Sequence, residues 1–99
     1  MAHFEIDIDK LEMAAGKLRA ISHPMRIAIL ELLAQEEPLS VTEIYKSLDI
    51  EQATASHHLN ILKSRKVLAS KRAGKKIFYS LRNSTLMEIV ECINRCYED

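Results

Sequence analysis

The sequence has few of the residues that interrupt helices or build extracellular frameworks. Of 99 residues, two are glycine, two are proline, two are cysteine and none is tryptophan. This scarcity of glycine and proline, with a hydrophobic content of 47%, argues against disorder and favours a mostly helical fold with one domain over residues 1–99. The two cysteines, Cys92 and Cys96, are too few and too close to form the disulfide framework of a secreted protein.

Long apolar runs and a targeting segment are missing too. No stretch approaches the roughly 18 consecutive apolar residues of a membrane span, and the first residues are acidic rather than basic followed by apolar. We therefore expect a soluble, cytoplasmic protein. A chain of this length has a modest core, so dimerisation through an apolar stripe on a terminal helix would add useful burial.

Acidic residues are absent from residues 52–87. That segment has eight Lys or Arg residues plus His57 and His58, whereas residues 1–51 hold five basic and ten acidic residues and residues 88–99 hold one and four. Although the formal net charge is zero, the basic and acidic residues are therefore strongly segregated along the chain. A basic block with acidic flanks indicates a folded surface that meets a polyanion, and nucleic acid is the first candidate.

Apolar residues at helical spacing predict five helices. Pro24 suits the first turn of the second helix, and Ser40 to Glu43 has the form of a capping box at the start of the third. The predicted helices cover residues 9–21, 24–35, 40–48, 51–66 and 84–98. The third and fourth are so close that residues 40–66 read as a helix-turn-helix, whose second helix enters the DNA major groove.

Between the fourth and last helices, residues 67–82 predict a short hairpin. Val67–Ala73 and Lys76–Leu81 are rich in β-forming residues and flank Gly74, and the loop between them is basic. The predicted fold is therefore mainly α with a small β-hairpin, in the order helix, helix, helix, helix, strand, strand, helix. The hairpin would be the wing of a winged helix-turn-helix.

The fourth helix and the hairpin carry side chains suited to DNA. Gln pairs with adenine, Ser and Thr bond to bases or phosphates, and Ala packs on a thymine methyl group. Cations at the far end of the helix and on the hairpin suit phosphates or the minor groove. The predicted DNA-binding residues are Gln52, Thr54, Ala55, Ser56, His58, Lys63, Arg65, Lys66, Arg72, Lys75 and Lys76.

Other interpretations remain open at this point. The polar helix face could be merely solvated and the hairpin a charged, aggregation-resistant edge. A winged-helix module that docks an acidic protein partner without reading DNA would have a similar charge, although it would not need the polar first turn of the fourth helix. An RNA-binding module would use stacking aromatics, but Phe78 and Tyr79 lie in a strand where core packing is expected.

No pattern of catalytic residues is present in the sequence. Ser56, His57 and His58 are neighbours on a helix and point in different directions, so they do not form a catalytic triad. The sequence also has no phosphate-binding glycine-rich loop and no HExxH motif. We therefore do not expect an enzyme.

Three segments carry a resemblance to a known family. Leu18–Leu30 with its S-H-P-x-R start, Gln52–Lys63 with T-x-S-H-H-L, and Gly74–Leu81 closely resemble the ArsR (arsenic-repressor-like) family of bacterial regulators. The resemblance implies a winged helix-turn-helix homodimer that contacts its partner through the first and last helices. It further implies a repressor, released by an inducer, that binds a double-stranded operator, which we expect to be an imperfect palindrome. Glu51 departs from the family, whose members often carry a Ser cap there.

The resemblance does not identify the signal. The family's thiophilic-metal motif on the third helix has no sulfur counterpart in residues 39–44, and its zinc site on the last helices matches Asn83, Thr85, Cys96 and Asp99, which are not an ordinary tetrahedral set. We therefore predict no metal or cofactor in a site of either type. His3 is expected to be solvated rather than a ligand, and His23 to start a helix.

Cys92 and Cys96 remain as the candidate sensor residues. They are four residues apart, so they share one face of the last helix with Ile89. They are either small hydrophobic residues that pack in a dimer interface, or a thiol sensor or soft-metal site built from two symmetry-related pairs.

Overall fold

The computed structural model describes residues 5–96. His3, Tyr97, Asp99 and the predicted end of the last helix at residue 98 lie outside them. The five predicted helices and the hairpin are confirmed, together with a short strand that was not predicted. The elements are α1 (Ile8–Ile21), α2 (Pro24–Glu36), β1 (Leu39–Ser40), α3 (Val41–Leu48), α4 (Gln52–Ser64), β2 (Leu68–Ala73), β3 (Lys76–Leu81) and α5 (Thr85–Cys96).

The joint between α1 and α2 is made by His23 and Pro24. Proline occupies the first helical position of α2, where its missing N–H costs nothing. Nδ1 of His23 accepts a hydrogen bond from the backbone N–H of Met25 at 3.1 Å, so the imidazole caps the helix in the way that Ser or Asp usually does. His23 is thus a helix-start residue, as the sequence predicted.

The helix-turn-helix is set by local signals at both ends of α3. Ser40 Oγ accepts from the Glu43 N–H at 3.2 Å and the Glu43 carboxylate accepts from the Ser40 N–H at 3.0 Å, which confirms the predicted capping box. Asp49 ends the helix in the left-handed conformation, with φ of 53°. Glu51 precedes α4 and makes no side-chain capping bond.

The three strands form an antiparallel sheet in the order β1-β3-β2. Ala73 pairs with Lys76 across the tip, where Gly74 has φ of 64°. Leu39 pairs with Tyr79, which adds β1 to the open edge of the hairpin. At the other end of β3, the Glu37 carboxylate accepts the Leu81 backbone N–H at 2.7 Å and so ties the end of α2 to the root of the wing.

The core lies between the helices and one face of the sheet. α2 is central and contributes fully buried residues, as do α3, α4 and the chain leading into β2. The largest fully buried side chains are Ile29, Leu30, Leu33, Ile44, Leu59, Leu62, Val67 and Leu68. None of the helices within residues 5–96 is long and apolar enough to cross a membrane.

The apolar stripe of α1 faces away from this core. Ile8, Leu11 and Leu18 are 60%, 54% and 52% exposed, whereas Gly16 and Ile21 on the other side of the helix are buried. Large apolar side chains exposed in a row on one helix mark an interaction surface. We call Ile8, Leu11, Ala15 and Leu18 the α1 stripe.

Candidate nucleic-acid interface

The recognition helix α4 has one buried and one exposed face, and the buried face corrects two predictions. Ala55 and Leu59 are completely buried, and His58 is only 7% exposed. Ala55 and His58 were predicted to touch DNA, and this prediction is wrong because both lie on the side of the helix that packs into the core. Their spacing to Leu59 and Leu62 is the i, i+3, i+4, i+7 repeat of a core-facing stripe.

The exposed face of α4 lies opposite. Ala53, His57, Asn60 and Ser64 recur at i, i+4, i+7 and i+11 and are exposed. His57 and Asn60 have hydrogen-bonding side chains of the kind that reach base edges. Both were missing from the predicted set, although the helical repeat that buries Ala55 already turns them outward.

The remaining predicted residues of the helix start are accessible. Gln52 and Thr54 are exposed, and Ser56 is half-buried beside the outward face. We call Gln52, Ala53, Ser56, His57 and Asn60 the reading face. This face contains no acidic residue, and no apolar side chain larger than Ala.

Two cations after α4, Arg65 and Lys66, lie beside α1. The Nη1 atom of Arg65 lies 3.3 Å from the position that a Cβ on Gly16 would occupy. Arg65 lines a shallow pocket with acidic residues of α1, Asp9 and Glu12. The Arg65 side chain therefore lies beside α1 but is exposed, and its role as a phosphate contact stays a prediction. Lys66 is exposed beside the same helix, with φ of 61°.

Lys63 and the wing keep their cations accessible. Lys63, Arg72, Lys75 and Lys76 are exposed, and Arg72 Nε donates to the Gly74 carbonyl at 3.2 Å, which braces the turn at the tip. Lys75 and Lys76 share a shallow cavity of about 200 Å³ with the first residues of α3. The basic tip is thus next to the positive end of the α3 dipole, which favours a negatively charged partner.

The aromatic residues of β3 do not form a stacking platform. Tyr79 is buried, and burial raises the pKa of its hydroxyl above the ordinary value. Phe78 is half-buried in a groove with Pro38 and Ala73 on the other face of the sheet. Core packing, expected for both residues, is confirmed for Tyr79.

A cluster of basic side chains lies behind the reading face. The Nη1 atom of Arg26 is 3.5 Å from Nδ1 of His58, and the ring centroids of His23 and His58 are 4.6 Å apart. The centroids of His57 and His58 are 5.3 Å apart. Burial, and then the charges of His23, Arg26 and His57, lower the pKa of His58 below its ordinary value.

The two cysteines lie on α5, away from the DNA-facing elements. α5 buries Leu86 and Val90, while Cys92 and Cys96 are free and exposed in the protomer. Among residues 5–96, no group of three or more His, Cys, Asp or Glu side chains is arranged to hold a metal ion.

Comparisons with known proteins match this geometry. A family model described as a helix-turn-helix domain matches residues 21–70. The transcriptional repressor PagR of Bacillus anthracis is 36% identical over 90 residues, which cover 91% of this chain and 90% of PagR. The chain belongs to the ArsR family of winged helix-turn-helix transcriptional regulators.

Solved structures show the same ArsR-family fold. The crystal structure of PagR matches with a TM-score of 0.81 and 33% identity over 88% of this chain and 99% of that one. The homodimeric winged helix-turn-helix domain Mb0332 from Mycobacterium bovis matches with a TM-score of 0.84 and 24% identity over 99% and 91% of the two chains. This member of the ArsR family is a DNA-binding regulator of transcription, and the alternative of a module that docks an acidic protein without reading DNA is not supported.

Proposed function

We propose that the chain is a homodimeric repressor that reads an imperfect palindrome with α4 and holds the backbone with its wing. The observation that carries this proposal is the acid-free reading face at the exposed start of α4, together with the accessible cations of the wing beside the start of α3. A groove-binding helix needs polar side chains at its exposed start and cations at its flanks. PagR, the similar protein from Bacillus anthracis, is a repressor.

The dimer would form through α1 and α5. The α1 stripe is exposed in the protomer, and α5 presents half-buried Ile89 and Ile93 beside its buried residues. Closed two-fold symmetry would pair these surfaces with their own copies. The two recognition helices would then enter successive major grooves about 34 Å apart.

Selection from random duplexes with the purified chain tests the proposal directly. We expect the recovered sequences to share two half-sites of inverted repeat, with centres about 10 base pairs apart. A dimer that neutralises about six to eight phosphates should lose affinity with a slope of log K against log[salt] near −5 to −7. A slope close to zero, or recovered sequences without inverted symmetry, would contradict the proposal.

We infer that Cys92 and Cys96 pack against the partner subunit. Their exposure is that of one protomer, and they share a side of α5 with half-buried Ile89. Thiol alkylation should then be slow in the dimer and fast in a variant that cannot dimerise. The alternative is a soft-metal or thiol-redox signal.

Binding to the selected duplex separates the two roles of the cysteines. It should be measured with reduced protein, oxidised protein and added Zn²⁺, Cu⁺ or arsenite, for the natural chain and a Cys92→Ser/Cys96→Ser variant. Unchanged affinity throughout supports packing alone. A treatment that weakens binding only when the cysteines are present supports the signal.

A further inference from the structure

Arg26 connects the end of α1 to the recognition helix. Its Nε donates a hydrogen bond to the Ala20 carbonyl in the last turn of α1, while its Nη1 contacts Nδ1 of His58 on α4. The guanidinium group is planar and rigid, so these two contacts fix the separation of the two helices at that point. Since α1 is the proposed dimerisation helix, the pose of α4 relative to the two-fold axis depends on this link.

The link requires a neutral imidazole. A guanidinium has only donors, so Nδ1 of His58 can accept from it only while it carries no proton. A proton there would remove the acceptor and place a second positive charge 3.5 Å from Arg26, in a site where His58 is 7% exposed. His23 has a parallel constraint, because its Nδ1 accepts the Met25 N–H that starts α2.

We propose that Arg26 and His58 are positioning residues that hold α4 in its reading pose while His58 is neutral, and that acid releases this hold. The consequence for sequence preference rests on the proposed DNA-reading function. The link itself does not, because it is a property of the free protein.

The direction of the pH effect follows from the surroundings of His58. His23 at the α1–α2 joint, Arg26 on α2 and His57 on its own helix disfavour its charged form, as does burial. No charged group of α1, α3 or β2, the other elements packed on α4, is among the causes that shift the His58 pKa within the described chain. No acid therefore compensates a proton on this ring.

A lowered pKa in the folded state has a definite sign for stability. Below the ordinary histidine pKa of about 6.5, the unfolded chain binds a proton that folded His58 resists, so the folded state loses stability as the pH falls. Above that pH the ring is neutral in both states, so this loss of stability is absent. The loss continues until the pH reaches the lowered pKa of the folded state.

His57 is a second imidazole of α4, and it is exposed on the reading face. Because we propose that this face contacts bases, His57 can itself affect sequence preference. The measurements are therefore made in a His57→Gln background, in which the ratio of affinities for specific and scrambled duplexes does not depend on that ring.

The experiment measures that ratio between about pH 5.5 and pH 8, on either side of the ordinary histidine value. The probes are a duplex selected by the natural chain at the upper pH and a scrambled duplex of the same composition. For the His57→Gln parent we expect the ratio to fall with acid by up to about tenfold per pH unit for each protomer's proton.

Three variants separate the possible causes. In His58→Asn an amide oxygen can take the place of Nδ1 without titrating, so the ratio should stay constant with pH. Arg26→Lys keeps the charge but not the rigid fork, so the ratio should be low at every pH. Both substitutions are made in the His57→Gln background, and the His57→Gln parent should show the fall of the ratio with acid.

The free protein provides a second measurement. The His58 ring should titrate below the ordinary value by NMR, and His58→Asn should remove part of the acid dependence of the unfolding temperature. A ring that titrates normally, or a pH-dependent ratio that persists in His58→Asn, would overturn the positioning inference. If the His58 ring titrates below the ordinary value as expected but the chain prefers no duplex, the proposed function would be overturned instead.

Discussion

At the scale of single residues, we propose that the reading face and the wing tip have different tasks. Gln52 is at the exposed start of α4, where its side chain would reach base edges, whereas Lys75 is at the tip of the wing, where a flexible cation would meet phosphates. The first task depends on sequence and the second does not. Substitution of one residue from each group should therefore have different effects.

We expect Gln52→Ala to relax sequence preference and Lys75→Ala to weaken binding to all duplexes similarly. Loss of one bidentate base contact costs about 1–3 kcal/mol of discrimination, and loss of a phosphate contact lowers the salt slope by about one per site. Asn60→Ala should behave as Gln52→Ala does. Competition binding with selected and scrambled duplexes measures both effects, and identical results from the two classes would remove the division of tasks.

The two glycines should respond in opposite ways to the same change. Gly16 lies inside α1, so Gly16→Ala should raise the free energy of unfolding by about 0.5–1 kcal/mol, because the new Cβ meets only the flexible side chains of Arg65 and Arg19. Gly74 has φ of 64° and open space around it, so Gly74→Ala should destabilise the fold by about 1 kcal/mol through backbone strain alone. Urea unfolding of both variants tests this pair.

At the scale of elements, the capping box fixes the start of α3 through two hydrogen bonds between residues three apart. Ser40 also pairs with Phe78 as part of β1, so one residue both ends a strand and starts a helix. The bonds from the Ser40 backbone and hydroxyl lower the pKa of Glu43, with a smaller effect from Lys76. The start of α3, the sheet edge and the wing tip are therefore coupled electrostatically.

Ser40→Ala should lower the free energy of unfolding by about 1 kcal/mol, because it removes the side-chain acceptor for the Glu43 N–H. Thr42→Ala, at an exposed neighbour outside the box, is the matched control and should have little effect. The Glu43 contribution is present above its ordinary pKa and is lost as the pH falls through the lowered one. If the two substitutions lowered the free energy of unfolding equally, the capping box would not stabilise the fold.

How far the sequence predicted these elements depends on how local their causes are. The Ser40 to Glu43 box and the break at Pro24 are local, so their positions were predicted closely. β1 has two residues and is a strand only because Leu39 and Ser40 pair with β3. Two residues are too few for a hydrophobic repeat to predict this pairing. Ala55 and His58 have side chains of a type that suits DNA, but their i, i+3, i+4, i+7 spacing with Leu59 and Leu62 places both on the buried face of α4.

At the scale of the whole molecule, the protomer exposes the α1 stripe, which the proposed homodimer should bury. Leu11 and Met13 are similarly exposed, but only Leu11 belongs to the α1 stripe, and Met13 projects toward Arg65 and Lys66. This difference provides a matched pair of substitutions. It tests whether the stripe, rather than general surface hydrophobicity, holds two copies together.

Leu11→Glu should convert the dimer to a monomer, because a charge would be buried between two apolar stripes, whereas Met13→Glu should leave the dimer intact. Sedimentation equilibrium measures this directly. A monomer engages one half-site, so its salt slope should be about half that of the dimer, near −3. If both variants stay dimeric with an unchanged slope, the interface lies elsewhere.

The bond between the Glu37 carboxylate and the Leu81 amide has a consequence for motion. It joins the root of the wing to the end of α2, whereas the hydrogen bond from Arg72 to the Gly74 carbonyl at the tip is made within the hairpin. A hinge in the wing would therefore lie between this bond and the tip. Bound DNA could then bend the tip without disturbing the chain that leads into α5. In hydrogen exchange, the Leu81 amide should be among the slower of β3, and protection should decay steadily toward Lys76.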